Sequence, residues 1–250
     1  DMDVVVTDHH LPPETLPQAA ALIDPQLPYD TSPCKTLCGA GVAYKLICAL
    51  EGASCEEMLA YYADLAAIGT VADIMVLEGE NRTLVKAGLE LMQDSERPGL
   101  RALISACGLE DKPLTAESIS YAIAPKLNAA GRMKDATAAL QLLLCEDEEE
   151  AEETAHELIE QNNERRKTEQ DIAAQIMEQI AGADGHDKER MIVVWGKGWH
   201  QGVIGIVASR LVERFGKPAI VISIDENGEG KGSGRSIPGF SLYDAIASAS

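Results

Sequence analysis

The feature that most constrains the fold is the segment 4–10, in which three consecutive valines run into Thr7, Asp8, His9 and His10. β-Branched residues favour strands, and an unbroken apolar run is typical of a buried strand in a parallel sheet. Ligands in α/β proteins bind beyond the carboxyl ends of such strands. The segment therefore predicts an α/β fold that delivers an aspartate and two histidines into a crevice.

Carboxylate and imidazole groups together indicate a site for Mn²⁺, Zn²⁺ or Fe²⁺, or a phosphate site. If the other ligands of the site were mostly carboxylates, the preference would shift toward Mn²⁺ or Mg²⁺. A polar turn after the strand is the alternative. The six cysteines lack paired CxxC spacing, which favours reduced core thiols, although Cys34 and Cys38 with His9 and His10 form a conceivable zinc site.

The net charge of −20 argues against a nucleic-acid partner unless the basic residues are concentrated locally. Residues 146–160 hold nine acids and no base, so one segment supplies almost half of the excess. The basic residues Lys126, Arg132, Lys197, Lys231 and Arg235 lie beside glycines and polar turns. No apolar run approaches the ~20 residues of a membrane span, and we expect a soluble, cytoplasmic protein.

Helical patterns dominate the first half. Residues 37–50 predict a buried helix whose first glycines allow close backbone approach, and residues 56–68 predict a second helix. A glycine turn at Gly69 would then place Asp73 at the end of an element, where ligands are held. Capping of the next element is the other interpretation of Asp73. Further predictions are a strand at 21–25, helices at 81–95 (N-cap Asn81) and 98–106, and a helix that starts at 115–118.

That last helix ends in the segment 127–133, where small residues lead to Arg132. A guanidinium there could bind phosphate in a bidentate manner or simply stabilise the carboxyl end of the helix. Residues 146–181 form one long helical pattern, typical of a connector between domains, and the glycine-rich segment 182–185 ends it.

A second, smaller domain begins with a strand at 191–195, followed by a helix at 203–215 and a strand at 219–224. This order predicts a β-α-β unit with parallel strands. His200 lies at the helix N-terminus, where anions bind readily. The segment 230–236 alternates glycines with Lys231, Ser233 and Arg235, which suits a phosphate or a single-stranded backbone. For the segment at His200 the alternative is a plain strand-to-helix turn. For the segment 230–236 the alternative is a flexible hairpin strand.

Together these stretches resemble the DHH phosphoesterase superfamily and, within it, the RecJ family of single-strand-specific DNA exonucleases. The segments that carry the resemblance occur in the order of the family and span nearly the whole chain. They are TDHH (7–10), LCGAGVA (37–43), GTVAD (69–73), ENR (80–82), LNAAGRM (127–133), GWHQGVIGIVA (198–208) and GSGRS (232–236).

The resemblance implies a 5′→3′ exonuclease that uses two Mn²⁺ or Mg²⁺ ions to release mononucleotides from single-stranded DNA in repair and recombination. It implies that His9 and Asp73 ligate metal, that His10 contacts the scissile phosphate and that Asp8 orients the imidazoles. The substrate would be held by Asn128, Arg132, His200, Ser233 and Arg235. A monomer with a helicase and a single-strand-binding protein as partners is expected, and no membrane partner.

The resemblance also implies a domain order: a parallel-sheet DHH domain (1–145), a connector helix (146–182) and a smaller β-α-β DHHA1 domain (187–250). The aspartate-rich motifs expected before the segment 7–10 and a Gly-Gly-His segment expected after residue 250 are not in the chain, so we expect a fragment truncated at both ends and inactive alone. Gln201 stands where the family usually has proline, and Met75-Val76 replaces a Val-Pro-like pair.

Two other functions remain open on the sequence. A DHH-family oligoribonuclease or phosphatase would share the segment 8–10 and the β-α-β domain but fits the segment 127–133 less well. A non-catalytic DNA-binding scaffold is the second alternative, against which the retained Asp8, His9, His10 and Asp73 argue.

Overall fold

The computed structural model describes residues 2–182 and 189–248, which form two units. The first unit comprises Asp1–Pro125 and Gln141–His156, and the second comprises Lys126–Leu140 and Glu157–Ser250. Within the described residues no helix combines the length and apolar character that a membrane span requires. Both ends of the predicted second domain (187–188 and 249–250), and residues 183–185 of the predicted helix end, lie outside the described residues.

The first unit opens with two short parallel strands, β1 (Val5–Thr7) and β2 (Ala21–Ile23). The expectation of a buried β1 is wrong, because Val5 is 55 % exposed. Among the described residues β1 pairs only with β2, so this two-stranded sheet leaves Val4 and Val5 exposed, whereas Val6 is half-buried.

Helices follow β2 along the chain, and the division between the two units falls inside the last two of them. They are α1 (Gly39–Glu51), α2 (Cys55–Ala72), α3 (Gly79–Gln93) and α4 (Pro98–Ala106), then a π-helical segment (Ser118–Ile123) that leads into α5 (Ala124–Met133), and α6 (Thr137–Leu144). The predicted helix start at 115–118 is confirmed by reciprocal bonds between Thr115 and Ser118. Helix α6 was not predicted.

Two predicted details of these helices are wrong. Gly69 is not a turn but lies inside α2, and the residue is glycine because a Cβ there would lie only 2.5 Å from Ala40 Cβ on α1. Asn81 is not an N-cap, since α3 already begins at Gly79. Its buried amide donates to the carbonyl oxygens of Thr36 and Val76, which fixes the loop before α1 and the turn before α3.

The second unit contains most of the long helix α7 (Glu148–Gly182), then β3 (Ile192–Lys197), α8 (Gln201–Phe215), β4 (Ala219–Ile224), β5 (Gly230–Arg235) and α9 (Leu242–Ala247). Strands β3 and β4 are parallel and α8 connects them, as predicted, whereas β5 is antiparallel to β4. The α/β class, the long helix and the β-α-β unit are thus confirmed.

Helix α8 is held by a buried core and by charge. Val203 and Val207 of α8 pack against Val221 of β4 and Ile176 of α7 in one apolar cluster. Glu169 of α7, only 1 % exposed, accepts from Arg165 at 2.6 Å and pairs with Arg210 of α8 at 2.5 Å. A buried carboxylate with two guanidinium partners fixes orientation more than it adds stability.

The compact units divide inside α5, α6 and α7, whereas the predicted domain boundaries fall at 145 and 182. Groups of spatial contacts and sequence domains need not coincide, so the domain boundaries stay a prediction.

The packing of α3 on α2 can be tested at Gly88. A Cβ there would lie 2.3 Å from Ala63 O and 2.4 Å from Ala67 Cβ. We expect Gly88→Ala to lower the free energy of unfolding by about 1–3 kcal/mol, because the helices must separate.

The matched control is Gly131→Ala, since a Cβ at Gly131 meets Ala136 at an ordinary 3.7 Å. This variant should be neutral or slightly stabilising in chemical denaturation, through improved helix propensity. Equal stability of the Gly88→Ala variant and the unaltered chain would contradict the packing described.

Candidate metal centre and anion site

Asp8 organises the turn that follows β1. Its backbone N–H donates to Ile23 O at 2.9 Å, which extends the pairing with β2 by one residue. Its Oδ1 accepts from the backbone N–H of His9 at 2.7 Å and of His10 at 3.3 Å, and bonds Nδ1 of His10 at 2.7 Å. One carboxylate oxygen therefore fixes both the turn and the orientation of the second imidazole.

These bonds set the ionisation of both groups. The hydrogen bond from the His10 ring, followed by those from the two backbone N–H groups, lowers the pKa of Asp8 to about 2. An ionised carboxylate can only accept, so Nδ1 of His10 carries a proton and Nε2 faces outward. The same hydrogen bond, and attraction to the Asp8 charge, raise the pKa of His10.

His9 is the more buried of the two histidines. Its ring lies against the start of α1, where a Cβ at Gly39 would be 3.5 Å from His9 Cδ2. Its Nε2 lies 3.6 Å from Oδ2 of Asp73, the residue that caps the carboxyl end of α2. The start of α1 thus packs against the imidazole beside the carboxylate, at ordinary van der Waals distance.

The donor set fits a divalent cation. Among the described residues, the group able to hold a metal consists of Asp8, His9 and His10, whose ligand atoms lie within 4.8 Å of one another. Asp73 adds an oxygen beside His9 Nε2. Adjacent ligands on an octahedral ion with bonds of about 2.1 Å lie about 3 Å apart, so a small movement would bring this pair onto one ion.

The sequence prediction named His9 and Asp73 as ligands, whereas the tightest group contains Asp8 and His10 instead of Asp73. The difference has a chemical reason, because Oδ1 of Asp8 already accepts three hydrogen bonds. Such a carboxylate is better suited to orienting an imidazole than to ligating metal. The available donors are therefore His9 Nε2, His10 Nε2 and the Asp73 carboxylate.

A second polar cluster lies within the second unit, where α5 ends beside the first turn of α8. Arg132 Nη1 donates to Gly202 O at 3.4 Å. A Cβ at Gly202 would lie only 2.1 Å from Arg132 O, so glycine is required for the two helices to meet. Asn128 is exposed one turn earlier on α5, at the i−4 position that shares a face with Arg132.

Three further predicted residues surround the same helix end. His200 caps α8, its Nδ1 accepting from the Gly202 N–H at 3.2 Å, which leaves Nε2 protonated. A Cβ at Gly205 would lie 2.9 Å from Ser233 Oγ and 3.2 Å from Arg235 Nη2. Arg235 Nη1 also donates to Ser233 Oγ at 3.2 Å. The structure thus gathers these side chains around a helix N-terminus, an arrangement that binds anions.

Sequence reasoning missed Gly205, which lets Ser233 and Arg235 lie across α8. A signal was available, because Gly202 and Gly205 are three residues apart and share one face of a helix. Paired glycines on one face of a helix N-terminus indicate close approach of other groups.

Comparisons with known proteins show which families the chain resembles. The family model "DHH family, N-terminal domain" matches residues 1–70, and the DHHA1 domain matches residues 187–250. The chain is 44 % identical over 247 residues to the single-stranded-DNA-specific exonuclease RecJ of Bacillus subtilis (strain 168), covering 98 % of this chain and 31 % of that protein. It is 38 % identical to the RecJ of Escherichia coli (strain K12), covering 97 % of this chain and 44 % of that protein.

Solved structures show the same likeness. RecJ in complex with Mn²⁺ from Thermus thermophilus superposes with a TM-score of 0.82 at 37 % identity, covering 99 % of this chain and 36 % of that one. An exonuclease RecJ bound to manganese gives 0.79 at 37 % identity, covering 98 % of this chain and 60 % of that one. The chain spans only 31 % and 44 % of the length of the two curated relatives described above.

The bond between Asp8 and His10 predicts a titration. In the metal-free chain, His10 should titrate above the ordinary histidine value of about 6.5, because ionised Asp8 stabilises the imidazolium. In Asp8→Asn the midpoint should fall back toward that value. NMR titration of the imidazole resonances measures both midpoints. A His10 midpoint unaffected by the substitution would contradict the assigned hydrogen bond.

Proposed function

We propose that the chain is the catalytic portion of a 5′→3′ exonuclease that degrades single-stranded DNA to 5′-mononucleotides, since the family models of the DHH N-terminal domain and the DHHA1 domain match residues 1–70 and 187–250. The observation that supports this most directly is the placement of His9 Nε2 beside Asp73 Oδ2, next to the turn that Asp8 makes with His10. The RecJ proteins to which the chain is similar are named single-stranded-DNA-specific exonucleases.

Mn²⁺ or Mg²⁺ is the proposed cofactor, since the solved neighbours are bound to these ions. His9 and Asp73 would hold the metal. When bound, a pair of such ions activates water and neutralises the charge that grows on the phosphoryl oxygens.

Asp8 and His10 have separate proposed roles beside the metal. Asp8 holds His10 through Nδ1, so the Nε2 atom is presented in a fixed direction. Because Asp8 engages Nδ1, Nε2 is the ring atom of His10 that is free to contact a phosphate oxygen. We assign His10 to the scissile phosphate and Asp8 to the orientation of His10.

The proposed substrate contacts belong to the cluster around the start of α8. Arg132 and Arg235 offer guanidinium groups, Ser233 a hydroxyl and His200 an Nε2–H, all close to the positive end of the helix dipole. Asn128 extends the same face of α5. These groups suit the 5′-terminal phosphate of a single strand and carry no preference for a base.

The biological setting is also part of the proposal. We infer a cytoplasmic role in DNA repair and recombination, as a monomer working with a helicase that unwinds the duplex and a single-strand-binding protein. The similarity to RecJ proteins supports this setting.

Removal of a metal ligand tests the proposed reaction. In the full-length protein, Mn²⁺-dependent release of nucleotides from 5′-phosphorylated single strands should fall by more than about 100-fold in Asp73→Asn. Asp171→Asn, which removes the same charge from an exposed position on α7, should retain full activity.

The substrates distinguish the alternatives in the same assay. Faster cleavage of dinucleotides than of long single-stranded DNA would favour an oligoribonuclease-like enzyme. Binding of single strands without hydrolysis of either substrate would favour a scaffold.

The 250-residue chain alone should be a poor nuclease. Its described residues bring together His9, His10 and Asp73 as available donors, fewer than two ions with several ligands each require. At equal concentration, its Mn²⁺-dependent turnover should be below that of the full-length protein by at least about 100-fold. Comparable turnover of the two proteins would show that the donors described here suffice.

A further inference from the structure

Strand β5 carries its polar side chains on one side only. A Cβ at Gly232 would lie 3.4 Å from Ile222 Cγ1 and 3.6 Å from Ile220 Cγ2, and a Cβ at Gly234 would also meet Ile220. The glycines therefore face the isoleucines of β4. Because side chains alternate along a strand, the intervening residues face the opposite side. These residues are Lys231, Ser233 and Arg235.

The opposite side is the one on which α8 packs. Ser233 is paired with Val221, which is buried in the cluster with α8, and Ser233 Oγ approaches Gly205 of α8. Lys231 is paired with Ser223, whose buried hydroxyl donates to Trp199 O. Since Trp199 directly precedes the residue that caps α8, Lys231 lies at the end of the sheet where α8 begins.

Lys231 is a free cation in this position. It is exposed, and within the described residues it makes no ion pair, although its neighbours along the row, Ser233 and Arg235, bond each other. The residues of β5 include two cations and no acid. On a chain with a net charge of −20, such a row is a local site for an anion.

The spacing of the row suits a single strand. Residues two apart on a strand are about 7 Å apart. A nucleic-acid strand extended to about twice its duplex rise of about 3.4 Å per phosphate has neighbouring phosphates at a similar separation. One strand of the protein can therefore contact two successive phosphates.

We propose that Lys231 binds the phosphate adjacent to the one held by Ser233 and Arg235. This rests on the proposed function, and extends it from a site for one terminal phosphate to a two-phosphate track along β5. Lysine acts there as a point charge, so the contact is independent of base sequence.

A different role for Lys231 is protection of a sheet edge. Among the described residues β5 pairs only with β4, and lysines on edge strands discourage pairing with other chains. Edge protection would not require Lys231 to face α8. It would also not make ligand binding depend on the length of the ligand. The two roles therefore predict different binding behaviour.

The experiment compares Lys231→Gln with Lys197→Gln in the 250-residue chain. Lys197 is also an exposed lysine of this sheet, at the end of β3, but it alternates with exposed Val193 and Trp195 on the face away from α8. The probes are thymidine 5′-monophosphate and a 5′-phosphorylated thymidine hexanucleotide, titrated without divalent metal so that no cleavage occurs. Binding is followed by NMR for the first and fluorescence anisotropy for the second.

Lys231→Gln should weaken hexanucleotide binding about threefold at low salt and leave the mononucleotide unchanged. The slope of log K against log salt should fall by about 0.7, the value for one phosphate of a single strand. Lys231→Arg should restore both quantities, and Lys197→Gln should change neither.

Three outcomes would overturn the proposal: unchanged hexanucleotide binding in Lys231→Gln, equal weakening of the mononucleotide, or equal weakening in Lys197→Gln. The Arg235→Gln variant tests the proposed function separately from the role of Lys231. If Arg235 binds the terminal phosphate, this substitution should weaken binding of both the mononucleotide and the hexanucleotide. If the unaltered chain binds neither ligand, the proposed single-strand function fails together with the track.

Discussion

The close approach of α1 to α2 is the contact on which the candidate metal centre depends. Gly69 of α2 packs against Ala40 of α1 at a distance that no side chain would permit. The adjacent Gly39 lies against the ring of His9, and four residues beyond Gly69 the helix ends at Asp73. Glycine–alanine packing between two helices thus determines that an imidazole from the turn after β1 lies beside a carboxylate from the end of α2.

In the second unit, close packing at glycines likewise positions the polar side chains, here for binding an anion. Gly202 lets the end of α5 contact the start of α8, and Gly205 lets Ser233 and Arg235 lie across it. The buried Glu169, paired with Arg210, then holds α8 on α7. Small residues bring the cations close to the helix dipole, and a buried ion pair keeps the helix in position.

Acidic and basic residues are concentrated in different parts of the chain. The chain as a whole is strongly acidic, and nine of its acids lie in residues 146–160. Its cations near α8 are few, but they are concentrated where backbone N–H groups already favour an anion. Local concentration explains how an acidic protein can present a phosphate site, because screening confines surface electrostatics to about 8–10 Å at ordinary salt.

The sequence by itself determined the types of element and the chemistry of the candidate residues. Patterns of apolar residues predicted β2, α4, α8, β4 and the long α7, since periodicity is a local property. It did not determine that Gly69 lies within a helix, that Asn81 is buried inside α3, or that β1 is exposed. Each of these depends on what a distant segment places nearby: Ala40, the carbonyl of Thr36, and the strand that pairs with β1. Only the tertiary structure could decide them, because the spacing between helices is set by contacts between residues far apart in the chain.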